Sequence, residues 1–277
     1  MVVSDGLMKR LPDGTEVSFC SSDCAFRFEL IGPAAKLRAE VVMRRAAIIE
    51  SLEAERGNKV LTLIHRQELW AALKEDRYIT IEDSEAVVAA IRSTPAQTPI
   101  DLVVHTPGGV ALAAELIAMA LKNHPGRTTV IVPFYAMSGG TLIALAADEI
   151  LLGRESILGP VDPQIKGYAA GAYLRLMARK PVEAVADETI LLAEAAKQSL
   201  EQAREFVKWL LEDKLPRKER NALALFLTGG YISHDTPIVL DVVREYGLPV
   251  KEGIPPQVDE LFRTFVFGAC ERPGMAG

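Results

Sequence analysis

Residues 127–148 read Arg-Thr-Thr-Val-Ile-Val-Pro-Phe-Tyr-Ala-Met-Ser-Gly-Gly-Thr-Leu-Ile-Ala-Leu-Ala-Ala-Asp, and this stretch decides the fold. It predicts a buried β-branched strand that is broken by proline and followed by a helix after Ser138. A serine at such a turn projects its hydroxyl out of the sheet and has the unpaired amides of a helix N-terminus behind it. The stretch alone leaves two interpretations open, an exposed nucleophile or a helix N-cap serine with a glycine-rich turn.

Composition is that of an ordinary globular protein. The 277 residues are 49% hydrophobic and 25% charged, which suits one sizeable α/β domain with helical additions. The net charge of −6 argues against nucleic acid as the main partner. We find neither a membrane-spanning apolar run of about 20 residues nor a signal peptide, and three cysteines fit a reducing compartment. These features predict a cytoplasmic protein.

The first 32 residues differ in character from the rest and are predicted to be a separate N-terminal segment, with one domain spanning residues 33–277. Cys20 and Cys24 stand four residues apart and are followed by aromatic residues. This pattern resembles the second half of a small treble-clef metal-binding module of the TRASH or YHS type. Zinc requires four ligands and Cys270 is the only other thiol, so we predict no metal and no other cofactor. A small hairpin or a disordered lead-in is the alternative.

Short apolar runs alternate with amphipathic stretches through the rest of the chain. This spacing is typical of βαβ units and a mostly parallel sheet, followed by a helical C-terminal region after Asp162. Strands are predicted at 59–64, 100–104, 128–132, 149–152 and 248–250. Helices are predicted at 33–56, 85–92, 110–122, 141–147, 168–178, 187–214, 221–227, 236–246 and 259–267, and a short helix with a turn is predicted within 70–78.

Two glycine turns follow successive strands in a fixed order, Thr106-Pro107-Gly108-Gly109 and then Met137-Ser138-Gly139-Gly140. This order resembles the ClpP/crotonase superfamily. Within it, the chain is most similar to the serine dehydrogenase proteinase family, near signal peptide peptidase A (SppA) and the NfeD-type serine peptidases. The resemblance runs from about Val60 to Val250 and is carried further by 65–68, 81–84, 105–109, 135–150 and 159–165.

The resemblance implies a ClpP/crotonase-like fold of repeated ββα and βαβ units in which Ser138 is the nucleophile. It assigns the oxyanion-hole amides to Gly108 and Gly139. Gly109, Met137 and Gly140 would line the substrate site. Relatives assemble as rings or stacked oligomers, which predicts a homo-oligomer with the long helix 187–214 as a contact surface. Family members often carry a membrane helix ahead of the domain, so peripheral membrane association stays open.

The base that activates Ser138 has more than one candidate. Where ClpP carries its histidine this chain has Val161-Asp162-Pro163, so a triad of that order is not predicted. SppA and NfeD peptidases use a lysine, and Lys197 occupies a comparable helix position, where partial burial would lower its pKa. The rival assignment is a histidine paired with an aspartate. Its candidates are His105, His234 with Asp235, and Asp162, and Lys180 is a weaker alternative base.

The predicted function is therefore an ATP-independent serine peptidase with a Ser-Lys dyad that acts on peptides or unfolded proteins through an acyl-enzyme on Ser138. No phosphate-binding Gly-x-x-x-x-Gly-Lys-[Ser/Thr] loop is present in the sequence. Two alternatives keep the fold. One is a crotonase-like acyl-CoA hydratase or isomerase that stabilises an enolate with the same amides, and the other is a non-catalytic scaffold.

Overall fold

The computed structural model describes residues 7–10, 16–19, 34–65 and 77–265, with side chains described for 40–65 and 77–265. The strands in chain order are β1 Leu7–Arg10, β2 Glu16–Phe19, β3 Lys59–Ile64, β4 Ile100–His105, β5 Thr128–Val132, β6 Tyr135–Ala136, β7 Glu149–Leu152, β8 Ile157–Leu158, β9 Gln164–Ile165, β10 Tyr168–Ala169, β11 Ile238–Val239 and β12 Val250–Glu252. The helices are α1 Ala34–Arg56, α2 Ile81–Ser93, α3 Ala111–Lys122, α4 Gly139–Ala146, α5 Ala170–Met177, α6 Asp187–Leu210, α7 Arg217–Thr228, α8 Leu240–Glu245 and α9 Pro256–Arg263, with a 3₁₀ turn at Val182–Ala184.

A five-stranded sheet in the order β12-β7-β5-β4-β3 forms the centre of the molecule, and all its neighbouring strands are parallel. Every residue of β4 and β5 is buried, because helices cover both faces of the sheet. Alternate strand residues enter two apolar clusters. Leu102 and Val130 face α3 and α4, whereas Val103 and Ile131 face α1 and α9. The predicted α/β class with a mostly parallel sheet is confirmed.

A smaller three-stranded sheet, in the order β11-β8-β6, adjoins the carboxyl ends of the main strands. Its strand β6 leads directly into Ser138, and Thr106 forms an isolated parallel bridge with Ala136 at the end of β4. The two sheets therefore bring the ends of β4 and β6 together. This junction places both Gly-Gly turns side by side.

The C-terminal part of the chain is mainly helical, as predicted. Helix α6 buries residues spaced by three, four or seven positions, which is the pattern of an amphipathic helix. The buried positions are Ala193, Ala196, Leu200, Val207 and Leu210. This face packs against α5 and α7 and holds the helical region onto the sheet domain.

The structure corrects several predicted boundaries. Residues 168–169 and 238–239 were predicted as helix, but they form short strands that pair with β9 and β8. The predicted helix 187–214 ends at Leu210, and the last strand lies at Val250–Glu252 rather than 248–250. Strands β1 and β2 pair antiparallel near the N-terminus. Cys20, Cys24 and Cys270 lie outside the described residues.

Candidate active site

Ser138 occupies a strained turn between β6 and α4. Its backbone angles are φ +49° and ψ −113°, a region that residues with a Cβ rarely adopt. Although Ser138 holds the N-cap position, its side chain makes no capping hydrogen bond, and Oγ has no partner among the described residues. An N-cap serine would accept a bond from the first helical turn. The geometry therefore favours the nucleophile interpretation, with a half-buried hydroxyl free to react.

The Gly108-Gly109 turn lies directly against Ser138. A Cβ added to Gly108, which has φ +105°, would lie 2.8 Å from the Ser138 Cβ and 3.3 Å from the Gly139 nitrogen. At Gly109, an added Cβ would collide with the backbone of Ile79, whose N–H donates to the Gly108 carbonyl at 2.7 Å. Both glycines are thus required by close backbone approach.

Of the glycine amides in the two turns, those of Gly109 and Gly139 have no acceptor among the described residues, and the Ser138 amide has none either. A Cβ added to Gly139 would lie 3.8 Å from the Gly109 nitrogen, so the two glycines are neighbours. The amide of Gly108, which sequence assigns to the oxyanion hole, instead donates to Thr106 Oγ1 at 3.2 Å. The two glycine amides left without an acceptor are therefore those of Gly109 and Gly139.

The structure brings together two of the predicted residues, His234 and Asp162, although 72 positions separate them in the chain. The imidazole Nδ1 lies 2.7 Å from Asp162 Oδ1, and the carboxylate side chain is fully buried. Gln164 Nε2 donates to the other carboxylate oxygen at 2.7 Å. The hydrogen bond to Asp162 is the largest influence on His234 and raises the pKa of its imidazole. The bond at Nδ1 leaves Nε2 as the nitrogen able to exchange a proton with a substrate or nucleophile.

Asp162 lies close in the chain to a residue that packs against the Ser138 turn. Asp162 follows Gly159 by three residues, and a Cβ on Gly159 would lie 2.5 Å from Met137 Cε. Gly140 follows Ser138 in the chain and packs against the Thr106 methyl group. A Cβ added to Gly140 would lie 2.6 Å from that methyl carbon. Met137 and Gly140, on either side of Ser138 in the chain, are thus held by close packing against Gly159 and Thr106.

The remaining candidate bases have other surroundings. Lys197 and Lys180 are exposed on the surface of the described chain. The His105 ring is buried on the sheet face that α9 covers, with ring centroids 4.2 Å from Tyr135 and 5.4 Å from Phe262. Helix α4, which begins after Ser138, packs on the opposite face. The structure does not group these three side chains with the serine.

A further set of polar residues at the turn was missed by reasoning from sequence. Thr106 is fully buried, and its hydroxyl contacts His65 Nδ1 at 2.8 Å. His65 Nε2 lies 3.3 Å from Asp83 Oδ2, the carboxylate that also closes the Thr80 capping box at the start of α2. The sequence signals were the position of Thr106 just before the glycine turn and that of His65 just after β3.

Metal-binding and membrane-spanning features were also sought in the described ranges. Within them, no group of three or more His, Cys, Asp or Glu side chains is placed to hold a metal ion. Over the same residues, no helix combines the length and apolar character that crossing a bilayer requires.

One protein family and several individual proteins are similar to this chain. The family described as a ClpP-like SDH-type serine proteinase matches residues 24–275. Two uncharacterized proteins of Methanocaldococcus jannaschii are similar. MJ1495 is 46% identical over 226 residues, covering 81% of this chain and 77% of its own length. MJ0137 is 43% identical over 228 residues, covering 82% and 80%.

Two solved structures are more distant. The membrane-bound stomatin-specific protease 1510-N has a TM-score of 0.44 and 18% identity, covering 68% of this chain and 79% of its own. ClpP1 from Listeria monocytogenes has a TM-score of 0.42 and 16% identity, covering 66% and 90%.

Proposed function

The chain belongs to the ClpP-like SDH-type serine proteinase family, and from this premise we propose that it is a serine endopeptidase working through an acyl-enzyme on Ser138. The backbone of Ser138 is the observation that carries the proposal. Its φ of +49° holds the hydroxyl at a strained turn without a capping bond. Strain of this kind is retained where function requires it, at a cost of about 1–3 kcal/mol.

The oxyanion hole in this proposal is formed by the amides of Gly109 and Gly139. Both N–H groups lack an acceptor among the described residues, and Gly139 is the first residue of α4, where the helix dipole favours negative charge. We choose Gly109 over Gly108 because the Gly108 amide already donates to Thr106. A tetrahedral intermediate would place its oxyanion between the two amides.

The general base is proposed to be His234, held by Asp162. Nε2 would take the proton from Ser138 Oγ as Oγ attacks the scissile carbonyl carbon, and would then give that proton to the leaving amine. Water would hydrolyse the ester by the same route in reverse. The short bond between the Nδ1 of His234 and buried Asp162 supports this role, because it orients the ring and stabilises the imidazolium. Lys197 is the rival base, and it is exposed to solvent on the surface of the single chain.

We propose peptides or unfolded proteins as substrates, without ATP, and the cytoplasm as the compartment. We also propose a homo-oligomer. Large apolar side chains are exposed at Tyr168, Leu191 and Tyr231, and Leu191, on the long helix α6, is 71% exposed. Burial of such residues between copies would stabilise an assembly.

A serine-directed fluorophosphonate probe, combined with hydrolysis of an unfolded protein, tests the proposal. The wild type should label and hydrolyse, and Ser138→Ala should do neither. Ser199→Ala, which removes a hydroxyl that bonds within α6, is the matched control and should behave as wild type. A labelled but proteolytically inert wild type would contradict peptidase function. An unlabelled protein that converts acyl-CoA esters would favour the hydratase alternative, and one without either activity would favour the scaffold.

The same assay separates the two bases. His234→Ala should lower the rate of hydrolysis by about a thousandfold or more, whereas Lys197→Ala should keep it within about threefold. The reverse result would assign the base to Lys197 and leave Ser138 as the nucleophile.

A further inference from the structure

A closed ring of hydrogen bonds surrounds the Gly108-Gly109 turn. The Gly108 N–H donates to Thr106 Oγ1 at 3.2 Å, and Oγ1 meets His65 Nδ1 at 2.8 Å. The other ring nitrogen, Nε2, lies 3.3 Å from Asp83 Oδ2.

The remaining two links return to the glycine turn. Asp83 Oδ2 accepts the Thr80 N–H at 2.8 Å, and the preceding residue, Ile79, donates its N–H to the Gly108 carbonyl at 2.7 Å. The turn is thus held at both its amide and its carbonyl.

The chemistry of each group sets the direction of the bonds. An ionised carboxylate only accepts, so the bond to Asp83 places the imidazole proton on Nε2. Nδ1 then accepts the Thr106 hydroxyl proton, because it is the nearest partner of Oγ1. The lone pairs of Oγ1 are left to accept from the Gly108 amide. His65 therefore determines that Thr106 acts as an acceptor toward the turn.

Burial separates this ring from the reaction itself. Thr106 is 0% exposed and so is not open to a peptide, and only 8% of the His65 side chain is exposed. Thr106 also lies between the two glycine turns, with its methyl group against Gly140 and its hydroxyl against Gly108. This position suits a residue that fixes the two turns relative to each other.

We propose that His65 is a positioning residue for catalysis, acting through Thr106 to hold the Gly108-Gly109 turn so that the Gly109 amide faces the oxyanion. This inference rests on the proposed function. Tying the Gly108 N–H to Thr106 fixes the orientation of the peptide plane before Gly108, and Ile79 fixes the carbonyl after it. An oxyanion donor contributes only when it is aimed before the reaction begins.

The test measures kcat, KM and the inhibition constant of a peptide boronate, whose tetrahedral adduct occupies the oxyanion hole. Thr106→Val keeps the β-branched shape and removes the hydroxyl. It should lower kcat by about 10–100-fold with KM within about threefold, and raise the boronate inhibition constant in parallel. Thr106→Ser, which restores the hydroxyl, should recover most of kcat. Thr94→Val removes a buried hydroxyl bonded to Ala90 at the far end of α2 and should change none of the three constants.

Two matched substitutions of His65 test whether it acts on the glycine turn through Thr106. The side-chain amide of Asn reaches the Nδ1 position, and that of Gln reaches the Nε2 position. His65→Gln should therefore behave like Thr106→Val, and His65→Asn should retain more of kcat. The double variant His65→Gln/Thr106→Val should be no slower than Thr106→Val alone, because both changes break one route.

Hydrogen–deuterium exchange keeps the inference separate from the proposed function. In the intact protein, peptides covering 106–110 should exchange about tenfold faster in Thr106→Val and His65→Gln than in Thr94→Val. Unchanged exchange would overturn the ring even if the wild type proved to be inactive. Faster exchange with unchanged kcat, in an active wild type, would overturn its role in positioning.

Discussion

The Nδ1 atom of His234 lies 2.7 Å from Oδ1 of Asp162, a carboxylate whose side chain has no exposed surface. This bond raises the pKa of His234 above its ordinary 6.5. A base must be neutral to accept a proton, so activity should fall as pH drops through the raised pKa. We expect the acid limb of a kcat/KM profile to have its midpoint above pH 6.5.

Substitution of Asp162 should shift the acid limb of the kcat/KM profile. Asp162→Asn removes the largest cause of the raised pKa, so the midpoint should shift to lower pH, with kcat reduced by about a hundredfold or more because the ring loses its orientation. Asp235→Asn is the matched control, since Asp235 contributes the smallest of the effects that raise the pKa of His234. An unchanged profile in Asp162→Asn would mean that His234 is not the base.

Gly108→Ala should abolish activity by filling the space beside the nucleophile. The new methyl carbon would lie 2.8 Å from the Ser138 Cβ, too close for an undisturbed turn. Gly253→Ala provides the comparison, because Gly253 has φ +132° but no atom within 4 Å of an added Cβ. Both variants should lose roughly 1–3 kcal/mol in a urea titration, and only Gly108→Ala should fail to take the fluorophosphonate label. Labelling of Gly108→Ala at the wild-type rate would contradict the placement of this turn.

The main strands could be predicted from sequence because parallel strands covered on both faces form continuous apolar runs. The ranges of β3, β5 and β7 match the prediction residue for residue. The two-residue strands β10 and β11 were predicted as helix. Two residues are too few to display a periodicity. Strand β10 pairs with the nearby β9 across a tight turn, whereas β11 pairs with β8 from a distant part of the chain.

Only the features of the site that depend on local turn residues could be predicted from sequence. A glycine pair after a strand identifies both turns, but the direction of each N–H depends on its partners. The Gly108 N–H donates to Thr106 Oγ1, and the Gly108 carbonyl accepts from Ile79, which lies on a distant segment. His234 and Asp162, likewise, meet across 72 positions of chain. Such pairings depend on the folded packing and have no signature in a single sequence.

The strained backbone of Ser138 predicts a trade-off between stability and activity. Ser138→Gly and Ser138→Ala should both be inactive, but glycine relieves the positive φ and alanine does not. We expect the glycine variant to be more stable than the alanine variant by about 1 kcal/mol in urea denaturation. Lys166, with the same φ of +49° in the exposed turn between β9 and β10, is the control. Lys166→Gly should also be more stable than Lys166→Ala, with activity intact. Equal stability of the two Ser138 variants would indicate that the backbone of this turn is not strained.

Lys214 connects the C-terminal end of α4, the helix that follows Ser138, to the end of α6. Its Nζ donates to the carbonyls of Leu145 and Ala146 at 2.9 and 3.1 Å, which end α4, and to that of Leu210 at 3.0 Å. Burial is the main cause that lowers the pKa of Lys214 to about 8. The unfolded chain, with a lysine pKa of about 10.4, therefore binds more protons than the folded chain between about pH 8 and 10.4.

Stability should accordingly rise with pH across that window. The charged, partly desolvated ammonium of Lys214 is penalised below pH 8, and the penalty disappears as the folded group loses its proton. Relative to Lys214→Met, the wild type should gain on the order of 2 kcal/mol of unfolding free energy between pH 7 and 10.4, allowing for partial solvent screening. The wild type should be the more stable protein throughout, because methionine removes the lysine donor from the carbonyls of Leu145 and Ala146 at the end of α4. Urea titrations at each pH measure the difference, with Lys218→Met, at an exposed position, as the control. A difference that stays constant would mean that Lys214 titrates as it does in the unfolded chain, and one that shrinks as pH rises would mean that folding raises its pKa.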